Sequence, residues 1–367
     1  MHIFNCLRDI YPKALRIVLL SFTMTLITTP VFAGYIQHNL VSDISGLADY
    51  LDPNLVNPWG ISSPPSGTFW IANNGTGTST LYNSSGIPQA LVVSLPSPNP
   101  TGQVFNANSS FFGDRFIFAA ENGTISGWRS ALTSSAALRV DNSASGAVYK
   151  GLTIDSNELF AANFSDGKID VFSANYLPVV LGGFLDPSLP VGYAPFNIQN
   201  IGGKLFVAYA MQDSTGKNEL AGAGKGYVDV YDTNGNLLQS LITGGALNSP
   251  WSFALAPSDF GDFSNDLLVG NFGDGRINAF DPTTGVFRGV LANGFGNPLV
   301  IDGLKGITFG NGGTGGAKNE LYFTAGINNG TDGLFGSLSV VSVPEPTTLS
   351  MIIIGLVLVR SNTRRIA

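Results

Sequence analysis

Short apolar runs broken by Gly, Pro, Asn and Asp recur along most of the chain, and two stretches match almost residue for residue. LFAANFSDGKIDVF from Leu159 lies over LLVGNFGDGRINAF from Leu267. Each reads as an apolar strand, an Asn-Phe, a tight turn, and a second strand in which apolar and polar positions alternate. The turns fall at Asp166-Gly167 and Asp274-Gly275, and Asp-Gly favours tight hairpins because both residues accept positive φ.

Looser copies follow at a period of about 50 residues, which calls for a propeller or solenoid reading before any other. They are FWIANNGTGTSTLYNSSG from Phe69, FIFAAENGTISGW from Phe116, LFVAYAMQ with GYVDVYDTNGNLLQSL from Leu205, and LYFTAGINNG with GLFGSLSVVS from Leu321. Shorter strand-like openings precede them: NPWGISS at Asn57, YKGLTIDS at Tyr149, APFNIQNI at Ala194, SPWSFALAP at Ser249 and DGLKGITFG at Asp302. Opening strand, central strand, turn and outer strands make a four-stranded blade, and six such units without helical periodicity predict an all-β, six-bladed β-propeller. YIQHNLVSD at Tyr35 precedes the first opening strand and has no hairpin partner. It is expected to be the outermost strand of the last blade, closing the ring and hiding two sheet edges.

The two ends do not share this pattern. Arg8, Lys13 and Arg16 lead into IVLLSFTMTLITTPVFA, an apolar run that ends in small residues, so residues 1–33 read as a signal helix cleaved after Ala33. The propeller is then 34–342. Residues 343–367 open on Pro344-Glu345-Pro346, continue through an apolar stretch from Thr347 to Val359, and finish with Arg360, Arg364 and Arg365. That stretch would be roughly 20 Å long as a helix, short against a hydrocarbon core of roughly 30 Å. Its arginines would stay cytoplasmic under the positive-inside rule. The order resembles the PEP-CTERM sorting signal, which implies a hydrophobic sorting helix, transient anchoring in the inner membrane of a Gram-negative bacterium, and processing by an exosortase after passage through the secretion translocon.

Removing the leader removes Cys6 and His2, so the body has no thiol and one imidazole, His38. Disulfides, cysteine nucleophiles and zinc sites built on Cys or several His are excluded by count. A histidine-dependent lyase would have only His38, which falls in the closing strand and is expected on the rim. Residues 34–343 carry 12 Lys and Arg against 23 Asp and Glu, a net charge near −11 that argues against a nucleic-acid partner. Gly-rich GNGGTGGAKNE at Gly310 and LAGAGKG at Leu220 lack the spacing of a phosphate loop and read as connections between strands.

NLVSDISGLADYLDPNLVNPWGIS, FWIANNGTGTSTLY, LNSPWSFALAPSDFGDFSNDLLVGNFGDGRINAFDP and IDGLKGITFGNG together resemble a bacterial family of exported, uncharacterised propellers that often carry PEP-CTERM tails. The likeness spans about residues 35 to 342. At blade level the chain also resembles NHL-type and lactonase-type propellers, a likeness of fold and not of activity.

Candidate chemistry lies where blade ends converge on the axis. Asn57, Asn73, Asn163 and Asn271 recur near equivalent positions, with Glu121 in the second blade and Asp302 opening the sixth. A ring of Asn73, Glu121, Asn163, Asn271 and Asp302 could hold a hard cation such as Ca2+. Resemblance to propeller lactonases then implies an ion that polarises an ester carbonyl. The same repetition fits asparagines that cap turns or bond a neighbouring backbone. Asp259, Asp262 and Asp266 in SDFGDFSND offer a second candidate calcium loop. Trp59 and Trp251 read as inter-blade core. The sequence thus favours a non-enzymatic binding or matrix protein, contacting exopolysaccharide or a surface protein, with a calcium-dependent hydrolase or lactonase as the alternative.

Overall fold

The computed structural model describes residues 34–341, so the expected signal and sorting segments lie outside the described residues. No helix among the described residues is long and apolar enough to cross a membrane. The strands form six antiparallel sheets. Blade 1 comprises Pro58–Ser62, Phe69–Asn73, Thr78–Tyr82 and Pro88–Ser94. Blades 2 to 5 repeat the order, with innermost strands Pro100–Phe105, Tyr149–Asp155, Tyr193–Ile201 and Pro250–Leu255. Each innermost strand packs on the next, and that of blade 6, Leu304–Phe309, packs on that of blade 1, which closes the ring of a six-bladed β-propeller.

Blade 6 takes three strands from the C-terminal side of the described chain and its fourth from the other end. Gly34–Ser42 pairs antiparallel with Leu334–Val341, Gly34 opposite Val341 and Ser42 opposite Leu334, as the unpartnered YIQHNLVSD requires. Tyr35 fixes the strand by donating from its hydroxyl to the Phe260 carbonyl at 2.9 Å, and its ring stacks near Phe263. Tyr50–Leu51 adds a short parallel pairing at the outer edge. His38 is half exposed on this rim and pairs with Asp49 at 2.8 Å.

The second strand of each blade is buried, along its whole length in Phe69–Asn73 or Leu321–Ala325 and except at its ends in Lys204–Met211. Such strands have a blade on either side, so they read as continuous apolar runs rather than an alternation. Six of the seven apolar clusters lie between neighbouring blades, and the seventh, around Trp59, Phe164, Phe196 and Trp251, fills the axis. The hairpin turns match their sequence signals, with Gly167 at φ 65° and Gly275 at φ 69°.

Pairing between the innermost strand and its neighbour slips at the same place in all six blades. The irregularity falls between Pro58 and Ile61, Pro100 and Gln103, Tyr149 and Gly151, Pro195 and Asn197, Pro250 and Ser252, and Leu304 and Ile307. A bulge bends its strand and re-aims the side chain within it. Those side chains are Trp59, Thr101, Lys150, Phe196, Trp251 and Lys305. The strands crowd here, and a Cβ on Gly102 would stand 2.6 Å from the Leu152 nitrogen in the next blade.

Blade 2 carries a buried ion cluster that ties it to blade 3. Asp114, fully buried, accepts from Arg139 at 2.6 and 2.8 Å, from Arg129 at 3.0 Å and from the Tyr176 hydroxyl at 2.9 Å. Breaking such a cluster leaves guanidinium charge uncompensated, so Asp114→Ala is expected to cost about 3–5 kcal/mol. Chemical denaturation of the variant against the parent checks this, and a loss below ~1 kcal/mol would contradict it.

Candidate functional site

A cavity of about 500 Å³ opens on the end of the axis formed by the starts of the innermost strands and by the loops joining second to third strands. Its floor is aromatic. Trp59 meets Trp251 edge-on with centroids 5.8 Å apart, and Phe196 lies 6.3 Å from both Trp59 and Phe272. Phe164 and Phe272 come from the two Asn-Phe repeats.

Two lysines occupy the register that holds tryptophan in blades 1 and 5. Lys150 and Lys305 belong to blades 3 and 6, on opposite sides of the axis, and both reach Trp59, their Nζ atoms 5.4 and 4.5 Å from its ring centroid. Their surroundings differ. Lys150 pairs with Glu121 at 2.5 Å and lies 3.9 Å from Glu219, so its ammonium is flanked by carboxylates. Lys305 makes no ion pair among the described residues, and its Nζ lies 3.6 Å from the centroid of Phe272. Burial lowers Lys305 from the ordinary lysine range to about 7. The Lys150 charge acts in the same direction, and Glu219, Glu121 and Asp302 act against it.

A polar chain crosses the mouth from blade to blade. Asn57 Nδ2 donates to Asn74 Oδ1 at 3.0 Å, Asn74 Nδ2 donates to Glu121 Oε2 at 3.3 Å, and Glu121 then accepts from Lys150. Asp302 accepts from the Asn328 backbone at 2.8 Å, fixing the sixth-blade loop. Asn57 holds φ 48° directly before Pro58, a strained backbone of the kind that collects at functional faces. Asn57 Oδ1 and Trp59 Nε1 are buried with no partner among the described residues.

Of the residues expected to form a cation ring, only Glu121 and Asp302 line the pocket. Asn73 Nδ2 donates to the Thr78 and Thr80 hydroxyls at 3.1 and 2.9 Å. Asn163 Nδ2 donates to Asp166 and Asp170 at 3.0 and 2.8 Å. Asn271 Nδ2 donates to the Ala246 carbonyl at 2.8 Å. The three asparagines brace hairpins and neighbouring loops, and this local need is why the residue recurs. In the second candidate loop, Asp259 accepts from Asn319 at 3.0 Å and Asp266 lies 3.9 Å from Arg288. Asp262 sits on the short turn Gly261–Phe263. Among the described residues no group of three or more His, Cys, Asp and Glu side chains is placed to hold a metal ion.

Sequence reasoning passed over Lys150, Lys305 and Glu219. The lysines were legible in YKGLTIDS and DGLKGITFG, where each aligns with the Trp of NPWGISS and SPWSFALAP. Glu219 lies in an unrepeated fourth-blade loop and carried no such signal.

The lowered Lys305 value gives a stability signature. The unfolded chain holds a proton on this lysine up to about 10.4, whereas the folded chain releases it near 7, so between these values the unfolded state binds more protons and stability rises with pH. Below pH 7 the cost of the buried charge is borne in full. Lys305→Met is therefore expected to be more stable than the parent at pH 6, by several kcal/mol at ~1.4 kcal/mol per pKa unit. The difference should shrink as pH approaches 10. Denaturation midpoints across this range check it, and a pH-independent difference would contradict it.

No family model matches the chain. Among solved structures it is similar in fold to virginiamycin B lyase from Staphylococcus aureus, at 15% identity and TM-score 0.50, covering 84% of this chain and 99% of that one. It is also similar to a structural genomics protein of unknown function from Bacteroides thetaiotaomicron, at 10% identity and TM-score 0.52, covering 84% and 73%. Two relatives by sequence come from Acanthamoeba polyphaga mimivirus. Uncharacterized protein R648 is 35% identical over 328 residues, covering 82% of this chain and 78% of the relative. Uncharacterized protein L690 is 32% identical over 325 residues, covering 82% and 84%. The chain belongs to the family of these uncharacterized mimivirus proteins, and its own described fold is the six-bladed β-propeller.

Proposed function

We propose that this is an exported, surface-sorted propeller that binds the end of a neutral, polyhydroxylated ligand, such as an exopolysaccharide chain, in the axial pocket. The observation that carries the ligand class is the pocket lining. Amides of Asn57 and Asn74, carboxylates of Glu121, Glu219 and Asp302, and the two lysines stand over the aromatic floor. Such groups donate to and accept from hydroxyls, and the rings offer an apolar surface to the ligand's carbon skeleton. Three carboxylates against two lysines leave the site without net positive charge, which disfavours a phosphate or other anion.

Export rests on the order of residues at the two ends. The leader carries a basic segment, an apolar run and a small-residue cleavage site, and the tail carries Pro344-Glu345-Pro346, an apolar run and Arg360, Arg364 and Arg365. In this reading the translocon and an exosortase are the processing partners, and the tail is a transient membrane anchor in a Gram-negative envelope. The viral relatives supply no activity and no sorting label.

Calorimetric titration with a panel of methyl hexosides tests the ligand class. At least one is expected to bind, with Asn74→Ala weakening it about fivefold through loss of a hydrogen-bonding group; no binding across the panel would overturn the reading. Expression of the full chain in an exosortase-bearing bacterium tests sorting. The expected product is shortened at its C-terminal end and released from the inner membrane, while Pro344→Ala with Glu345→Ala keeps it full-length and membrane-bound. Identical processing of both would contradict it.

A further inference from the structure

The two pocket lysines share a repeat position but not an environment, and this asymmetry points to chemistry beyond hydrogen bonding. Lys150 lies between Glu121 at 2.5 Å and Glu219 at 3.9 Å. Lys305 has no ion-pair partner among the described residues, lines the cavity, and lies against the faces of Phe272 and Trp59. A buried amine without an ion-pair partner is the arrangement that favours the uncharged, nucleophilic form of lysine.

We propose that Lys305 is a carbonyl-capturing amine that condenses with a bound aldehyde or ketone, such as the open-chain reducing end of a sugar, to form an imine. The ligand class rests on the sugar reading above; the reactivity of the amine does not.

The step balances without a redox partner. The Lys305 Nζ lone pair forms the C–N bond while the carbonyl π pair moves to oxygen, and nitrogen gives up one proton as that oxygen takes one, which leaves a neutral carbinolamine. Loss of the remaining nitrogen proton and departure of the hydroxyl with a second proton release water and leave C=N. Glu219, which lines the same cavity, gives and takes back these protons in this proposal. The charge of Lys150 disfavours protonation of Lys305 before attack. The groups facing Lys305 are thus Lys150, Glu121, Glu219 and Asp302.

The lowered Lys305 value supports the same assignment. Near pH 7 about half of this amine is uncharged, against roughly one part in 10³ for a lysine of ordinary pKa. Its lower basicity costs some nucleophilicity, so a rate advantage of at least about tenfold over a surface lysine is expected.

The test uses the full chain, glycolaldehyde and cyanoborohydride at pH 7, with peptide mass mapping over time. Lys305 is expected to be alkylated at least about tenfold faster than the half-exposed Lys168, with a half-maximal rate near pH 7. Methyl glycosides have no free carbonyl and separate this from binding. Fast Lys305 labelling without methyl glycoside binding supports the amine and sinks the sugar reading. Methyl glycoside binding with Lys305 labelled no faster than Lys168 overturns the amine and leaves the sugar reading standing. Because the wild-type protein is measured, the result does not depend on any variant folding.

Discussion

Six innermost strands converge on one axis, and the bulge shared by all of them turns one side chain from each blade into the centre. What stands at that position decides what the molecule contains at its middle. In blades 1, 4 and 5 it is Trp59, Phe196 and Trp251, and these close the channel with rings. In blades 3 and 6 it is Lys150 and Lys305, which bring two amines to the Trp59 ring from opposite sides of the axis. Thr101 completes the set by donating to the Tyr149 carbonyl at 2.8 Å, joining blade 2 to blade 3.

The surrounding structure serves that convergence. The inter-blade cores fix the spacing of the strands, and Gly34–Ser42 completes the last blade so that the ring has no open seam. Within the repeats, the asparagine braces its hairpin (Asn163) or a neighbouring loop (Asn271) while the following phenylalanine, Phe164 or Phe272, enters the axial floor. The chain Asn57, Asn74, Glu121 and Lys150 then links blades 1, 2 and 3 at the mouth, which holds the polar groups in place over an otherwise apolar base. A cavity at the opposite end, lined by Ser62, Gln103, Thr153 and Asn200, lies where the same strands finish and has no charged side chain in its lining.

Most of the fold was legible because blade repetition is a periodic signal that survives sequence drift. The Asp-Gly turns, the largely apolar second strands and the unpaired YIQHNLVSD each predicted what the backbone does. The opening strand of blade 2, Pro100–Phe105, was not recognised because PTGQVF buries Thr101 and Gln103, polar side chains satisfied by neighbouring blades. The site was harder to read for a physical reason. Repetition marks what every blade needs, so it drew attention to Asn73, Asn163 and Asn271, whose work is local. The charged groups of the axial pocket sit where the repeat is broken, at lysines in a tryptophan register and at Glu219 in a loop with no counterpart.

The central claim is that the axial pocket presents a buried amine that loses its proton near neutral pH. Titration of the lysine side-chain resonances by NMR, with carbon-13 at the ε position, measures this at the residue concerned. The account predicts one resonance, lost in Lys305→Arg, that titrates with a midpoint near 7 while the exposed lysines titrate near 10.4. A Lys305 resonance titrating with the exposed lysines would contradict it.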